Sequence, residues 1–181
     1  MNFETFQKSV NALKSWRLAA DQPSHHFPDS RDPEFQKHLV EHAVTSQDYE
    51  ISIVCLCCWR EMRSQLYEGM IAVAHVINNR SKKGWHHGNQ YMNVIAVNQF
   101  SSMSVPSDLQ LNKYPLENDV EFGKLLENIQ DLFDNNLIDK TDGSLYYAVL
   151  QDSTSGWFFK NIVNNPEHPR LATIGRTTFF Q

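Results

Sequence analysis

The twelve residues from Ile51 to Met62 constrain this chain more than any other segment. Ile51, Val54, Cys55, Cys58, Glu61 and Met62 stand at i, i+3, i+4, i+7, i+10 and i+11, which is one face of an α-helix. Such a face has to be covered, so the fold must be built around this helix with others packed on it. The same face carries a carboxylate, Glu61, near its C-terminal end. A carboxylate on an apolar stripe is costly unless it is paired, hydrogen-bonded or protonated. Burial disfavours its charged form, which raises its pKa and suits it to act as a general acid at neutral pH. The alternative is an ordinary salt bridge to Arg60, Arg63 or another cation at the helix end.

Other helices can be read around it. Phe3, Phe6, Val10, Leu13, Leu18 and Ala19 recur at loosely helical spacing until Gln22–Pro28 breaks the pattern. Phe35, Leu39, Val40 and Ala43 predict a second, short helix after Asp32-Pro33, and Thr45 and Ser46 followed by Asp48 and Glu50 mark the start of the Glu61 helix. Tyr67, Met70, Ile71, Ala74 and Ile77 predict a further helix ending near residues 78–80, joined to the previous one in a hairpin through residues 63–66. Residues 82–107 read as a loop suited to a binding rim, interrupted only by the apolar run at 94–97. Phe122, Leu125, Leu126, Ile129, Leu132 and Phe133 predict an amphipathic helix over 119–135. Ser144–Val149, Gly156–Phe159 and Thr177–Phe180 predict three short antiparallel strands. The expected fold is therefore α+β, mainly helical with a small antiparallel sheet. We expect a single domain over 1–181, with an N-terminal helical extension over 1–45 ahead of a catalytic core over 46–181.

Composition removes several function classes. No apolar run approaches the roughly 20 residues that span a bilayer, and Met1-Asn2-Phe3-Glu4 lacks a signal peptide's basic-then-apolar plan. The expectation is cytoplasmic synthesis without stable membrane insertion. With 16 basic against 21 acidic residues the net charge is −5, and the largest basic excess of any segment, over residues 51–100, is five against two, which argues against a nucleic-acid partner. The three cysteines crowd into Cys55-Leu56-Cys57-Cys58 with no second cluster to pair with, so they read as buried small apolar side chains. There is no G-x-G-x-x-G, P-loop or G-x-S-x-G motif.

Three further constellations could carry chemistry. Glu61 and Glu68, seven residues apart, could form a glycosidase carboxylate pair, although Glu68 is equally explained by the dipole of the helix it opens. His38-Leu39-Val40-Glu41-His42 fits the H-x-x-E-H zinc-peptidase pattern, but no third ligand can be pointed to, and solvated histidines are the competing reading. His25-His26 and His86-His87 read as loop residues. The aromatic group of Tyr146, Tyr147, Trp157, Phe158, Phe159, Phe179 and Phe180 could stack on sugar rings or form core. Strand alternation would send Tyr146 and Tyr147 to opposite faces, leaving at most one for a ligand.

The run Glu61-Met62-Arg63-Ser64-Gln65-Leu66-Tyr67-Glu68-Gly69, followed by Val73-Ala74-His75-Val76-Ile77-Asn78-Asn79-Arg80, resembles the E-A-R-G-E-x-Y-E-G and V-A-x-V-I-x-N-R motifs of the SleB-type, or spore-cortex-lytic, cell-wall hydrolases. Gln99-Phe100-Ser101, Leu145-Tyr146-Tyr147, Trp157 and Ile174-Gly175 with Phe179 match later family motifs in the same order. Three positions depart from the pattern: Ser64 stands for Gly, Gln65 for a second Glu, and Thr177 for His. The resemblance implies a lysozyme-like domain that cleaves the β-1,4 bond between N-acetylmuramic acid and N-acetylglucosamine in peptidoglycan glycan strands. It implies a lytic transglycosylase with Glu61 as acid and no cofactor or metal. Gln99, Ser101, Tyr146, Tyr147, Arg63 and Trp157 would bind the substrate, with Arg80 supporting the loop. An unexported single-domain enzyme of this kind resembles a bacteriophage endolysin. It would be held in the host cytoplasm and reach the wall through a holin. The competing expectations are a hydrolytic muramidase, a zinc peptidase using His38, Glu41 and His42, a catalytically inactive wall-binding module, and a bacterial wall-remodelling enzyme.

Overall fold

The computed structural model describes residues 1–62, 65–85, 91–96, 99–151 and 156–181. Its elements in chain order are α1 (Phe3–Ala19), α2 (Pro33–Glu41), α3 (Ser46–Met62), α4 (Tyr67–Lys82), α5 (Tyr91–Ala96), α6 (Ser101–Ser104), α7 (Val120–Phe133), β1 (Tyr146–Ala148), α8 (Gly156–Phe158), β2 (Arg170–Ile174) and β3 (Thr177–Phe180). The protein is an α+β fold, mainly helical with a small antiparallel sheet. No helix among the described residues is long and apolar enough to cross a membrane.

α3 is buried on every side, not only along the stripe its sequence announces. Ser52, Ile53, Leu56, Cys57 and Trp59 are as enclosed as Val54, Cys55 and Cys58, because α1, α2, α4, α5, α6 and α7 all pack on it. A helix so enclosed needs small and apolar residues all round, which is the use of its three cysteines. Burial pushes all three thiols well above their ordinary pKa, and they are free.

Side-chain caps set the helix starts. Asn2 Oδ1 accepts from Thr5 N at 2.9 Å, Asp32 Oδ1 from Glu34 N at 2.8 Å, and Thr45 Oγ1 from Asp48 N at 3.0 Å while donating to Asp48 Oδ2 at 2.7 Å. Asp119 caps α7 through Phe122 N at 3.0 Å. Its other oxygen accepts from Trp59 Nε1 at 2.7 Å, so one carboxylate both starts α7 and ties it to α3.

The α3–α4 hairpin forms as the periodicity predicts, with α4 running to Lys82, slightly past the expected end. Gly69 packs closely on Gln65, and a Cβ there would stand 3.0 Å from Gln65 Cβ, so that side chain would have to give way. The described residues between 82 and 107 hold more helix than expected. α5 and α6 form within them and bury Met92, Val94, Ile95 and Met103. Helices of six and four residues are too short to show a periodicity.

The sheet has the order β1-β3-β2, all antiparallel, with Tyr147 opposite Phe179 and Ala172 opposite Phe179 on the other side. The central strand β3 is fully buried, and Phe179 packs on Ala72 and Val76 of α4. Two of the three expected strands are present. Gly156–Phe159 is helical instead, continuing into a π-helical turn over Phe159–Val163, where Asn161 Nδ2 donates to Trp157 O at 2.8 Å. The third strand is β2, whose partly exposed residues and register shift after Arg170 hide its alternation.

Candidate active site

Glu61 occupies the last turn of α3, half-buried, where the helix emerges between α6 and β1. Both its oxygens are engaged. Ser102 Oγ, from α6, donates to Oε1 at 2.5 Å, and the Tyr147 hydroxyl, from β1, donates to Oε2 at 2.8 Å. Three segments separated by 41 and 86 residues thus converge on one carboxyl group. Burial, and then the neighbouring Glu61 charge, hold the Tyr147 phenol well above its ordinary pKa, so it stays a donor. Its ring lies 6.5 Å from Phe100 and 6.0 Å from Phe179, which fixes where the hydroxyl points.

Arg60 does not form the salt bridge to Glu61 that the sequence offered it. Among the described residues no cation stands within ion-pair distance of it. Arg60 turns away and is buried. Its Nε donates to Lys113 O at 3.1 Å and its Nη1 to Ser102 O at 3.4 Å. It therefore clamps the backbone of the same Ser102 whose hydroxyl holds Glu61. Arg63 lies outside the described residues.

Arg80 supports the other wall. Its Nε donates to Leu145 O at 2.7 Å, and its guanidinium lies 4.7 Å from the Trp85 ring centre, 5.3 Å from Phe100 and 5.8 Å from Tyr146. Burial lowers its pKa, opposed by Tyr147, Tyr146, Cys57 and Glu61, so its charge is felt across the site without touching the carboxylate. Gln65 completes the support. Its Nε2 donates to Thr177 Oγ1 at 2.8 Å, beside Gly175, whose φ of +58° favours glycine and where an added Cβ would stand 2.9 Å from Gln65 Oε1.

The other expected site residues scatter. Tyr146 faces away from Tyr147, its ring 5.5 Å from Trp85 and 4.9 Å from His168. Gln99 is half-buried just before α6, Ser101 is exposed at its first position, and Trp157 is 65% exposed on α8. The hydroxyl that reaches Glu61 is Ser102 rather than its neighbour Ser101. Glu68 is exposed on the first turn of α4 and contributes to a separate cavity of about 510 Å³ with Ile71, His75 and Ile138.

The zinc pattern does not assemble. His38 Nδ1 lies 3.1 Å from Ser15 Oγ and 3.8 Å from Glu41, while His42 Nδ1 lies 2.9 Å from the His38 carbonyl. Among the described residues no three His, Cys, Asp or Glu side chains come together as a metal site. His26 packs edge-on against Trp16 at 5.2 Å, and His86-His87 lie outside the described residues.

Chemically, the site offers one carboxyl group held at both oxygens by neutral hydroxyls, with aromatic walls and a buried positive charge behind. Compared with known proteins, residues 64–180 match the family model described as Cell Wall Hydrolase. No curated protein and no solved structure matches the chain. The matched segment supplies Ser102, Tyr147, Arg80, Gln65 and Thr177, whereas Glu61 and Arg60 stand just ahead of it.

Proposed function

The chain belongs to the cell wall hydrolase family, which supports a hydrolase acting on peptidoglycan, and on that premise we propose that Glu61 is its general acid. The proposed bond is the β-1,4 linkage between N-acetylmuramic acid and N-acetylglucosamine. The observation that carries the reading is the double hydroxyl grip on Glu61. A structural carboxylate on a buried helix is normally matched by a cation, whereas among the described residues this one is matched by groups that can both donate and accept.

In this mechanism protonated Glu61 gives its proton to the glycosidic oxygen as the bond from the muramic anomeric carbon breaks. Tyr147 and Ser102 then donate to the carboxylate as its charge develops. Ser102 serves both protonation states, since its hydroxyl can turn from donor to acceptor. The carboxylate next removes the proton of the sugar's own 6-hydroxyl, whose oxygen bonds to the anomeric carbon. The proton is returned to Glu61, and the product carries a 1,6-anhydro ring. No second carboxylate is required, consistent with Gln65 at the family's second acidic position and with Glu68 on a separate cavity.

The test is digestion of purified peptidoglycan followed by mass spectrometry of the fragments. Glu61→Gln is expected to cut the rate at least about a hundredfold with the fold intact. Anhydro-muramic ends identify the transglycosylase. Reducing ends, heavier by one water, would replace it with a muramidase and leave Glu61 as acid. Near-parent activity in Glu61→Gln would refute the assignment.

A further inference from the structure

Three cations crowd one phenol on the α1 side of the molecule. Lys14 Nζ lies 4.3 Å from the centre of the Tyr114 ring and the Arg60 guanidinium 5.1 Å from it. Arg17 shares with Lys14, Tyr114, Ser24 and Asn112 the wall of an open cavity of about 410 Å³. Arg17 and Arg60 are only 8% and 3% exposed, and in each the Nη2 nitrogen is buried without a hydrogen-bond partner.

No acid answers them. Among the described residues neither arginine forms an ion pair, and Asp21, an exposed acid on the same cavity wall, forms none with Lys14 or Arg17. The partners they do have are neutral: the His26 carbonyl at 2.9 Å and the Phe27 ring at 4.5 Å for Arg17, the Lys113 and Ser102 carbonyls and the Met103 sulfur for Arg60, and the Tyr114 hydroxyl for both. Burial lowers the pKa of both, and in both the strongest opposing influence is the Tyr114 phenol rather than any carboxylate. Desolvating a cation costs several kcal/mol, and a like charge nearby adds to that cost. Two buried guanidiniums beside an ammonium make a positive potential that no ion pair among the described residues neutralises.

We propose that this cavity binds a compact oxyanion, a phosphate or carboxylate group, with buried Arg17 supplying the inner charge and exposed Lys14 the outer one. Arg17 acts here as charge at the cavity wall, its Nε donating to the His26 carbonyl and its Nη2 enclosed, and Arg60 behind Tyr114 deepens the potential. Lys14 and Arg17 belong to α1, outside the family-matched residues 64–180, whereas Asn112 and Tyr114 lie within them, so the site joins the N-terminal segment to the matched part of the chain. It does not depend on the role given to Glu61.

The experiment titrates the full chain with sodium phosphate and, separately, sodium acetate, with chloride holding the ionic strength constant, and reads the melting temperature. A saturable rise with at least one anion is expected, and the anion with the lower midpoint identifies the group. Lys14→Gln should raise that midpoint about tenfold, the loss of one charge-assisted contact, and Arg17→Met should abolish the rise. Glu61→Gln should leave the rise unchanged, which separates this site from the catalytic reading. No saturable rise with either anion, or the same midpoint in Lys14→Gln, would mean that rings and carbonyls alone hold these cations, and the proposal fails. If Arg17→Met does not fold, the exposed Lys14→Gln variant decides the matter alone.

Discussion

Replacing Tyr147 by Phe removes one oxygen and leaves the ring where Phe100 and Phe179 hold it. What is lost is the 2.8 Å hydrogen bond to Glu61 Oε2. A hydrogen bond to a charged group is worth about 1.5–3 kcal/mol, and such a donor does most for the state in which the carboxylate is charged. In the proposed mechanism that charge develops as Glu61 gives up its proton, so the loss falls on the transition state rather than on substrate binding. Tyr147→Phe should therefore lower kcat about 10- to 150-fold with KM little changed. Because burial and Glu61 hold the phenol protonated well past its ordinary pKa, ionisation of Tyr147 itself should not shape the parent's profile from pH 5 to 9. The assay is fragment release from purified peptidoglycan across that range, with circular dichroism verifying the fold. A kcat within twofold of the parent, or a loss confined to KM, would refute the reasoning.

Arg60→Met keeps the aliphatic packing but frees the Ser102 and Lys113 carbonyls, and should lower kcat roughly tenfold by loosening the Ser102 hydroxyl. Arg60→Lys, which can reach only one of the two carbonyls, should recover part of that loss, whereas a merely structural arginine would show a lower melting temperature at unchanged kcat. The native thiols of Cys55, Cys57 and Cys58 are held protonated, while the unfolded chain releases those protons above about pH 8.5. Stability is then full below that pH and falls as pH rises towards the folded-state values, by about 4 kcal/mol per pH unit for three thiols, read by urea unfolding under reductant. Gln65→Glu and Thr177→His should each destabilise the protein by about 1–3 kcal/mol, and the double variant should cost less than the sum, a coupling that a double-mutant cycle in denaturant measures. Additive losses would dismiss the coupling.

Much of the frame was readable because burial writes a period into a helix. α3, α4 and α7 each carry apolar residues at three- and four-residue spacing, and Thr45 and Asp119 cap their starts. β2 was not readable, since Arg170 and Thr173 are exposed and a register shift interrupts the alternation. Gly156–Phe159 misled for the opposite reason. Its aromatic run has strand propensity, yet the Asn161 side chain returns to the Trp157 carbonyl four residues back and holds a helical turn. Within the site, Glu61 stood out because a carboxylate interrupts an apolar stripe, and Tyr147 because it lies in a matched motif. Ser102 did not stand out among Ser101, Ser102 and Ser104. Which hydroxyl faces Glu61 depends on the phase of a one-turn helix, and that phase is set by the burial of Phe100 and Met103 in the core.

The departures from the family pattern bear on how the site is held together. Gln65 and Thr177 replace a Glu and a His 112 residues apart, yet they are hydrogen-bonded to one another. Read separately, each removes a group with acid–base capacity. In contact, they exchange an ionisable pair for a neutral one of the same reach, and the link between the α3–α4 turn and β3 survives. Thr177 is fully buried, so an unmatched carboxylate or imidazolium beside it would be expensive, and changing one partner alone would break the link. This places the pair on the structural side of the site. It holds β3, and through the register of Tyr147 with Phe179 it holds β1, which presents the phenol to Glu61. In the proposed mechanism the chemistry needs only one carboxyl group, which leaves position 65 to serve in the brace.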